Sequence, residues 1–92
     1  MDDPETLAQM FDLLSVDARI RILQALKRQP SCVTRLTSSL GISLPATSQH
    51  LRLLRNAGIV KTIKRGTFVY YLLEKKKIER MRKAANGLLS TQ

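Results

Sequence analysis

"SLPATSQHLRLLRNAGIV", residues 43 to 60, opens on a serine, passes through a proline and a run of small polar side chains, and closes on leucines and a glycine. Ser43 can accept from the free N–H groups of a first helical turn, Pro45 fits that turn because its missing N–H has no partner there, and Gly58 can adopt the left-handed conformation that ends a helix. A helix over 44–57 is expected. Its spacing sorts two faces: Thr47, Leu51 and Leu54 fall at i, i+4, i+7 and point inward with His50, whereas Pro45, Ser48, Gln49 and Arg52 fall at i, i+3, i+4, i+7 on the other side. The outer face is small enough for a helix backbone to approach another surface closely. Gln49 carries the amide that matches adenine, and Arg52 the guanidinium that matches guanine or a phosphate.

Upstream, Val33, Leu36 and Leu40 mark a short helix ended by Gly41. Two helices joined by a glycine turn have the dimensions of a helix-turn-helix, whose second helix lies in the major groove of DNA. Downstream, residues 59–65 and 67–73 are rich in β-branched and aromatic side chains around Gly66, a hairpin with the basic tip Lys64-Arg65-Gly66-Thr67. Such a hairpin after a helix-turn-helix is a wing, placed to reach the neighbouring minor groove or the phosphate backbone. The expected DNA-facing set is Ser43, Pro45, Ser48, Gln49, Arg52, Lys64, Arg65 and Thr67, with Thr47 of the first turn counted among them despite its inward spacing.

Toward the ends, Leu7, Met10, Phe11 and Leu14 stripe a first helix over 4–14, and Asp17 is expected to cap a second helix carrying Ile20, Ile22, Leu23 and Leu26 up to Pro30. Ser31 restarts the chain. Ile78, Met81, Ala85 and Leu88 keep helical spacing among the lysines and arginines of a last helix over 74–89. The expected architecture is mainly α with a β-hairpin, in the order α-α-α-α-β-β-α, as one winged helix-turn-helix domain over residues 1–92.

At 92 residues the chain buries a modest core, and a second copy would supplement it. No apolar run approaches the roughly 18 residues of a membrane span, and the acidic opening Met1-Asp2-Asp3-Pro4-Glu5 is unlike a secretory leader. A single cysteine builds no intrachain disulfide. A cytoplasmic protein with no membrane partner is expected. The net charge of +9 is unevenly spread: residues 1–17 hold five acids and no Lys or Arg, so all 16 Lys and Arg lie beyond them, against only Glu74 and Glu79. Charge so concentrated points to a polyanion, double-stranded DNA above all, because each cation placed on a phosphate releases condensed counterions.

The stretch from Leu13 to Leu73 resembles the ArsR/SmtB family of dimeric winged-helix repressors, with similarity over about residues 7–73. The resemblance is carried by Asp17-Ala18-Arg19-Ile20-Arg21-Ile22-Leu23, Ser48-Gln49-His50-Leu51, Leu54-Arg55-Asn56-Ala57-Gly58-Ile59-Val60, Arg65-Gly66 and Tyr70-Tyr71-x-Leu73. It implies a DNA-binding homodimer paired through its first and last helices, whose apolar stripes (Leu7, Met10, Phe11 and Leu14; Ile78, Met81, Ala85 and Leu88) suit that pairing. It also implies repression of a nearby operon until an inducer weakens binding. The inducer is unnamed by the sequence, and constitutive binding is an alternative.

The sensing sites depart from the family. Where many members carry Cys-x-Cys on the third helix, Ser31-Cys32-Val33-Thr34-Arg35 keeps one thiol, with Thr34 in the second thiolate position and Arg35 where an acid often lies. One thiolate does not make a zinc or arsenic site, which needs three or four ligands. The family's Asp-x-His at the start of the last helix is replaced by Lys75 and Lys77. No metal and no cofactor is expected.

Cys32 reads either as a small buried residue or as a redox or intersubunit thiol. His50 reads as a hydrogen-bonded core histidine that pins its helix. Of Tyr70 and Tyr71, which alternate across a strand, one is expected in the core and one at the surface. Arg19 and Arg21 each allow three roles: a solvated charge, an ion pair with an acid such as Asp12, or a phosphate contact. Lys75, Lys76, Lys77, Arg80, Arg82 and Lys83 form the wet face of the last helix, which on a dimer axis would add to the field drawing DNA. A competing reading is a winged-helix module docking an acidic protein or RNA. An enzyme is not expected: no carboxylate pair with a histidine, no phosphate-cradling glycine loop and no nucleophile site is present in the sequence.

Overall fold

The computed structural model describes residues 3–91. Helix α1 (Pro4–Leu14) starts where the Asp3 carboxylate accepts from the Thr6 N–H at 2.8 Å and the Thr6 hydroxyl at 3.1 Å, a cap followed by proline in the first turn. Helix α2 (Asp17–Arg28) is entered differently from expectation. Val16 takes the cap position in extended backbone, and Asp17 is the first helical residue. Its carboxylate lies 4.0 Å from Arg21 one turn on, at the end of the helix where negative charge is favoured. The helix stops at Arg28 because Gln29 precedes Pro30 and is forced into extended backbone.

Ser31 is buried and joins Tyr71 in a β-bridge, donating at 3.0 Å and accepting at 2.8 Å through the backbones. Helix α3 (Val33–Leu40) then begins at Cys32 and ends at Gly41, whose φ of 69° only glycine adopts without strain. Helix α4 (Leu44–Asn56) follows after three residues, Gly41, Ile42 and Ser43. Strands β1 (Val60–Arg65) and β2 (Phe68–Leu73) pair antiparallel, in register from Val60 opposite Leu73 to Arg65 opposite Phe68. Helix α5 (Lys75–Leu89) starts at Glu74, whose carboxylate accepts from the Lys76 N–H and whose own N–H donates to Ile59 at 2.8 Å. The element order and the hairpin are those of a winged helix-turn-helix.

The core is the three-helix unit closed by the root of the hairpin: Ile22 and Leu26 of α2, Leu36 and Leu40 of α3, Leu51 and Leu54 of α4, then Ile59 and Val60. In α3 and α4 these are inward positions of the expected helices, whereas in α2 the expected stripe is corrected: Ile22 is fully buried, Leu23 packs half-buried beside it, and Ile20 is exposed. The terminal helices cover the edge of this core without entering it, since neither α1 nor α5 contains a fully buried residue. Their apolar stripes divide. Leu14, Ile78 and Met81 pack as half-buried side chains against the core of their own chain, so part of each stripe is covered within a single copy. Leu7, Met10 and Ala85 are half-buried, while Phe11 and Leu88 are exposed.

Candidate nucleic-acid interface

Helix α4 is set at its first turn by two local bonds. The Ser43 hydroxyl accepts from the Ala46 N–H at 3.2 Å, and the Thr47 hydroxyl donates to the Ser43 carbonyl at 3.0 Å. Thr47 is completely buried, so it supports the turn and touches nothing outside the chain. Counting it with the DNA-facing residues is corrected by that burial, and its inward spacing was the better guide.

Pro45, Ser48, Gln49 and Arg52 are all exposed on one face. Arg52 Nη2 donates to Gln49 Oε1 at 2.7 Å, so the two longest polar side chains of the face are already joined. Leu44, 47% exposed at the head of the same helix, was missed by the sequence reading. Its signal was the four-residue step to Ser48, and a side chain of this kind can meet a thymine methyl.

His50 is half-buried behind the face. Its Nδ1 accepts from Arg19 Nε at 3.3 Å, while Arg19 Nη1 donates to the Leu13 carbonyl at 3.1 Å. Arg19 therefore brackets the end of α1, its own helix α2 and the middle of α4. Arg19 thus has a bracing role that the sequence reading did not include, whereas Arg21 pairs with Asp17.

The wing ends in a two-residue turn, Gly66-Thr67, with positive φ at Gly66 only. That is where a type II′ hairpin turn requires it. Lys64, Arg65 and Thr67 are exposed there, and 60–73 contains no acid. Tyr71 packs on the core, and Tyr70 is half-buried on the opposite face with its ring 6.4 Å from that of Phe68. At the wing's base Lys61 pairs with Glu74 at 3.4 Å.

Cys32 is half-buried at the head of α3, outside the buried core. Its Sγ lies 3.3 Å from Thr34 Oγ1, and the bond from that hydroxyl, then one from the Arg35 N–H, holds the thiol below its usual pKa. Thr34, in the family's second thiolate position, is thus a partner of the thiol. Lys75 and Lys77 stand in the first turn of α5. Among the described residues no three His, Cys, Asp or Glu side chains converge as a metal set. Among the same residues no helix is long and apolar enough to cross a membrane.

A glycine-jointed helix pair with a small polar outer face, followed by a basic hairpin, defines a winged helix-turn-helix of the DNA-binding kind. The chain belongs to the ArsR family: the pattern described as "Bacterial regulatory protein, arsR family" matches residues 17–62. The transcriptional repressor SmtB homologue of Synechocystis is 37% identical over 73 residues, covering 79% of this chain and 55% of that protein. The uncharacterized HTH-type transcriptional regulator MJ1325 of Methanocaldococcus jannaschii is 32% identical over 89 residues, 96% of this chain and 100% of that one. The structure of the transcriptional repressor BigR from Xylella fastidiosa superposes with a TM-score of 0.76 at 26% identity, over 96% of this chain and 90% of that chain. The chain spans 55%, 66% and 58% of the length of three of the curated relatives it matches. These relatives are named as transcriptional regulators, and this chain shares their family and the winged helix-turn-helix fold.

Proposed function

We propose that the chain represses transcription as a homodimer on a pseudo-palindromic operator, with the two α4 helices in successive major grooves about 34–36 Å apart. The observation that carries this reading is the solvent-facing row Pro45, Ser48, Gln49 and Arg52, slim enough for a groove and ending in a joined amide and guanidinium. Ser43 at the head of the helix and Lys64, Arg65 and Thr67 on the wing hold phosphates and the flanking groove, and set the register of the reading helix. Pairing runs through α1 and α5. Support comes from the lack of any fully buried residue on either helix, with Phe11 and Leu88 left in solvent.

Repression proceeds without the usual metal sites of the family. The thiol of Cys32 has Thr34 as its neighbour, and the start of α5 offers ammonium groups where a cation would need ligands. The regulator works beside the chromosome, in the cytoplasm.

Selection of bound fragments from random or genomic DNA, followed by sedimentation and gel shift, tests the reading. A twofold-symmetric site and a dimeric complex are expected. Gln49→Ala and Arg52→Ala relax base preference, while Lys64→Ala weakens all sequences alike and lowers the salt slope by about 1. Equal losses on cognate and scrambled duplexes for every variant would defeat base reading. Retention of RNA or acidic protein in place of duplex DNA would favour a docking module.

A further inference from the structure

The outer face of the wing carries a side chain that the DNA-facing set does not include. Side chains alternate across a strand, and Tyr71 and Leu73 pack on the core, so Phe68, Tyr70 and Leu72 lie on the face turned away from it. The register puts Arg65 beside Phe68 and Ile63 beside Tyr70 on that same face. Ile63, Tyr70 and Leu72 are half-buried, whereas Phe68, at the turn, is 59% exposed. A large aromatic ring therefore projects into solvent at the tip of a hairpin that has three cations, Lys61, Lys64 and Arg65, and no acid over 60–73.

We propose that Phe68 is an apolar wedge for the DNA minor groove flanking each half-site, seated there beside Arg65; this rests on the repressor reading above. The minor groove has sugar C–H walls between anionic phosphate rims. An exposed ring on the residue paired with Arg65 matches both, the ring meeting the walls or the edge of a base step and Arg65 entering the negative groove. A second copy of the chain matches less well. A twofold pairing through this face would set Arg65 close to its own mate, with no acid on the wing to offset the repulsion. Seated in this way, the wing senses groove width and the ease of unstacking a step, which adds sequence preference beyond the bases that α4 touches.

The test uses the full chain and a duplex it recovers from a random pool, in gel shifts at several salt concentrations. Phe68→Ser is expected to lose about tenfold in affinity with an unchanged salt slope, because the ring contacts no phosphate. Phe68→Leu, which keeps an apolar side chain and is the milder change for folding, retains part of that affinity. Arg65→Ala lowers the salt slope by about 1. Replacing flanking guanine by inosine removes the N2 amino group from the minor groove and leaves the major groove pattern intact. It strengthens wild-type binding and leaves Phe68→Ser unmoved. If Phe68→Ser equals the wild type on both duplexes, the wedge is overturned while the repressor reading stands. If Phe68→Ser sediments as a smaller species than the wild type, the ring is a contact between copies and the wedge is likewise overturned. A wild-type chain that retains no duplex brings down both readings.

Discussion

Arg52 donates from Nη2 to Gln49 Oε1 across 2.7 Å, three residues apart on the exposed face of α4. A guanidinium only donates, so the amide must turn its oxygen toward Arg52 and its NH2 away. The pair thus has a polarity before anything binds: the Gln49 oxygen is engaged by Arg52, the NH2 is left as the donor of the amide, and the Arg52 fork is steadied at one corner. Such a pair acts as one recognition unit. Gln49→Ala removes one reader and also releases Arg52, so the single losses in affinity should overlap. The double variant is expected to lose less than the sum of the two singles, with a coupling of about 0.5–3 kcal/mol. Affinities of the four proteins for one selected duplex, at one salt concentration, give the cycle. Strict additivity would mean that the two side chains read independently.

A second unit lies behind that face. Arg19 spans from the Leu13 carbonyl to His50 Nδ1, and in doing so ties the end of α1 to the reading helix. Arg19→Ala leaves a part-buried carbonyl and an imidazole nitrogen without their donor, and should cost about 1–3 kcal/mol in urea unfolding. His50→Ala removes only one of the two bonds and should cost less of the bracket, though it adds lost packing. A urea midpoint for Arg19→Ala equal to that of the wild type would show that the bracket contributes nothing.

Much of this arrangement was legible in the sequence because it is local. Ser43 as cap, Gly41 and Gly58 as helix ends, the leucine spacing of α3 and α4, and the one-in, one-out placement of Tyr71 and Tyr70 all follow from rules that act over a few residues. Asp17 was misplaced by one position because an acid is favoured both as cap and in the first turn, and only the extended backbone at Val16 separates the two. Long-range relations were out of reach. The Arg19 to His50 bond joins residues 31 apart, and nothing near Arg19 distinguishes it from Arg21. The split of the α1 and α5 stripes was hidden for a related reason: spacing says which side of a helix is apolar, not whether its own core or a second copy covers that side.

Thr47 separates support from recognition within a single turn. Its hydroxyl donates to Ser43, and its side chain is enclosed. Thr47→Val keeps the shape and deletes the donor, so it should lower stability by about 1 kcal/mol in urea unfolding. Base preference, measured on duplexes substituted one pair at a time, should be unchanged. A shift in preference at any single position would return Thr47 to the reading face.

Glu74 links the head of α5 to the root of the wing, and its ionisation makes that link pH-dependent. The Lys76 N–H, and then the Lys61 ammonium at 3.4 Å, hold its carboxyl below the usual range. A folded-state pKa below the unfolded one means that folding favours the carboxylate. The stabilisation is therefore complete above the unfolded value of about 4.3 and disappears as pH falls through the folded value. Asp3, lowered by its bonds from Thr6, and Glu79, lowered by Arg82, act in the same direction, so Glu74 supplies one share of the acid limb. Glu74→Gln cannot ionise and should lack that share. Its melting temperature should lie below the wild type at pH 7, and the gap should close as both are titrated from pH 6 toward pH 3. The gap closes because the wild type loses the carboxylate over that interval, while the amide has no proton to take up. Melting curves across the interval decide the matter, and a gap that stays constant would show that the Glu74 charge does not hold the wing to α5.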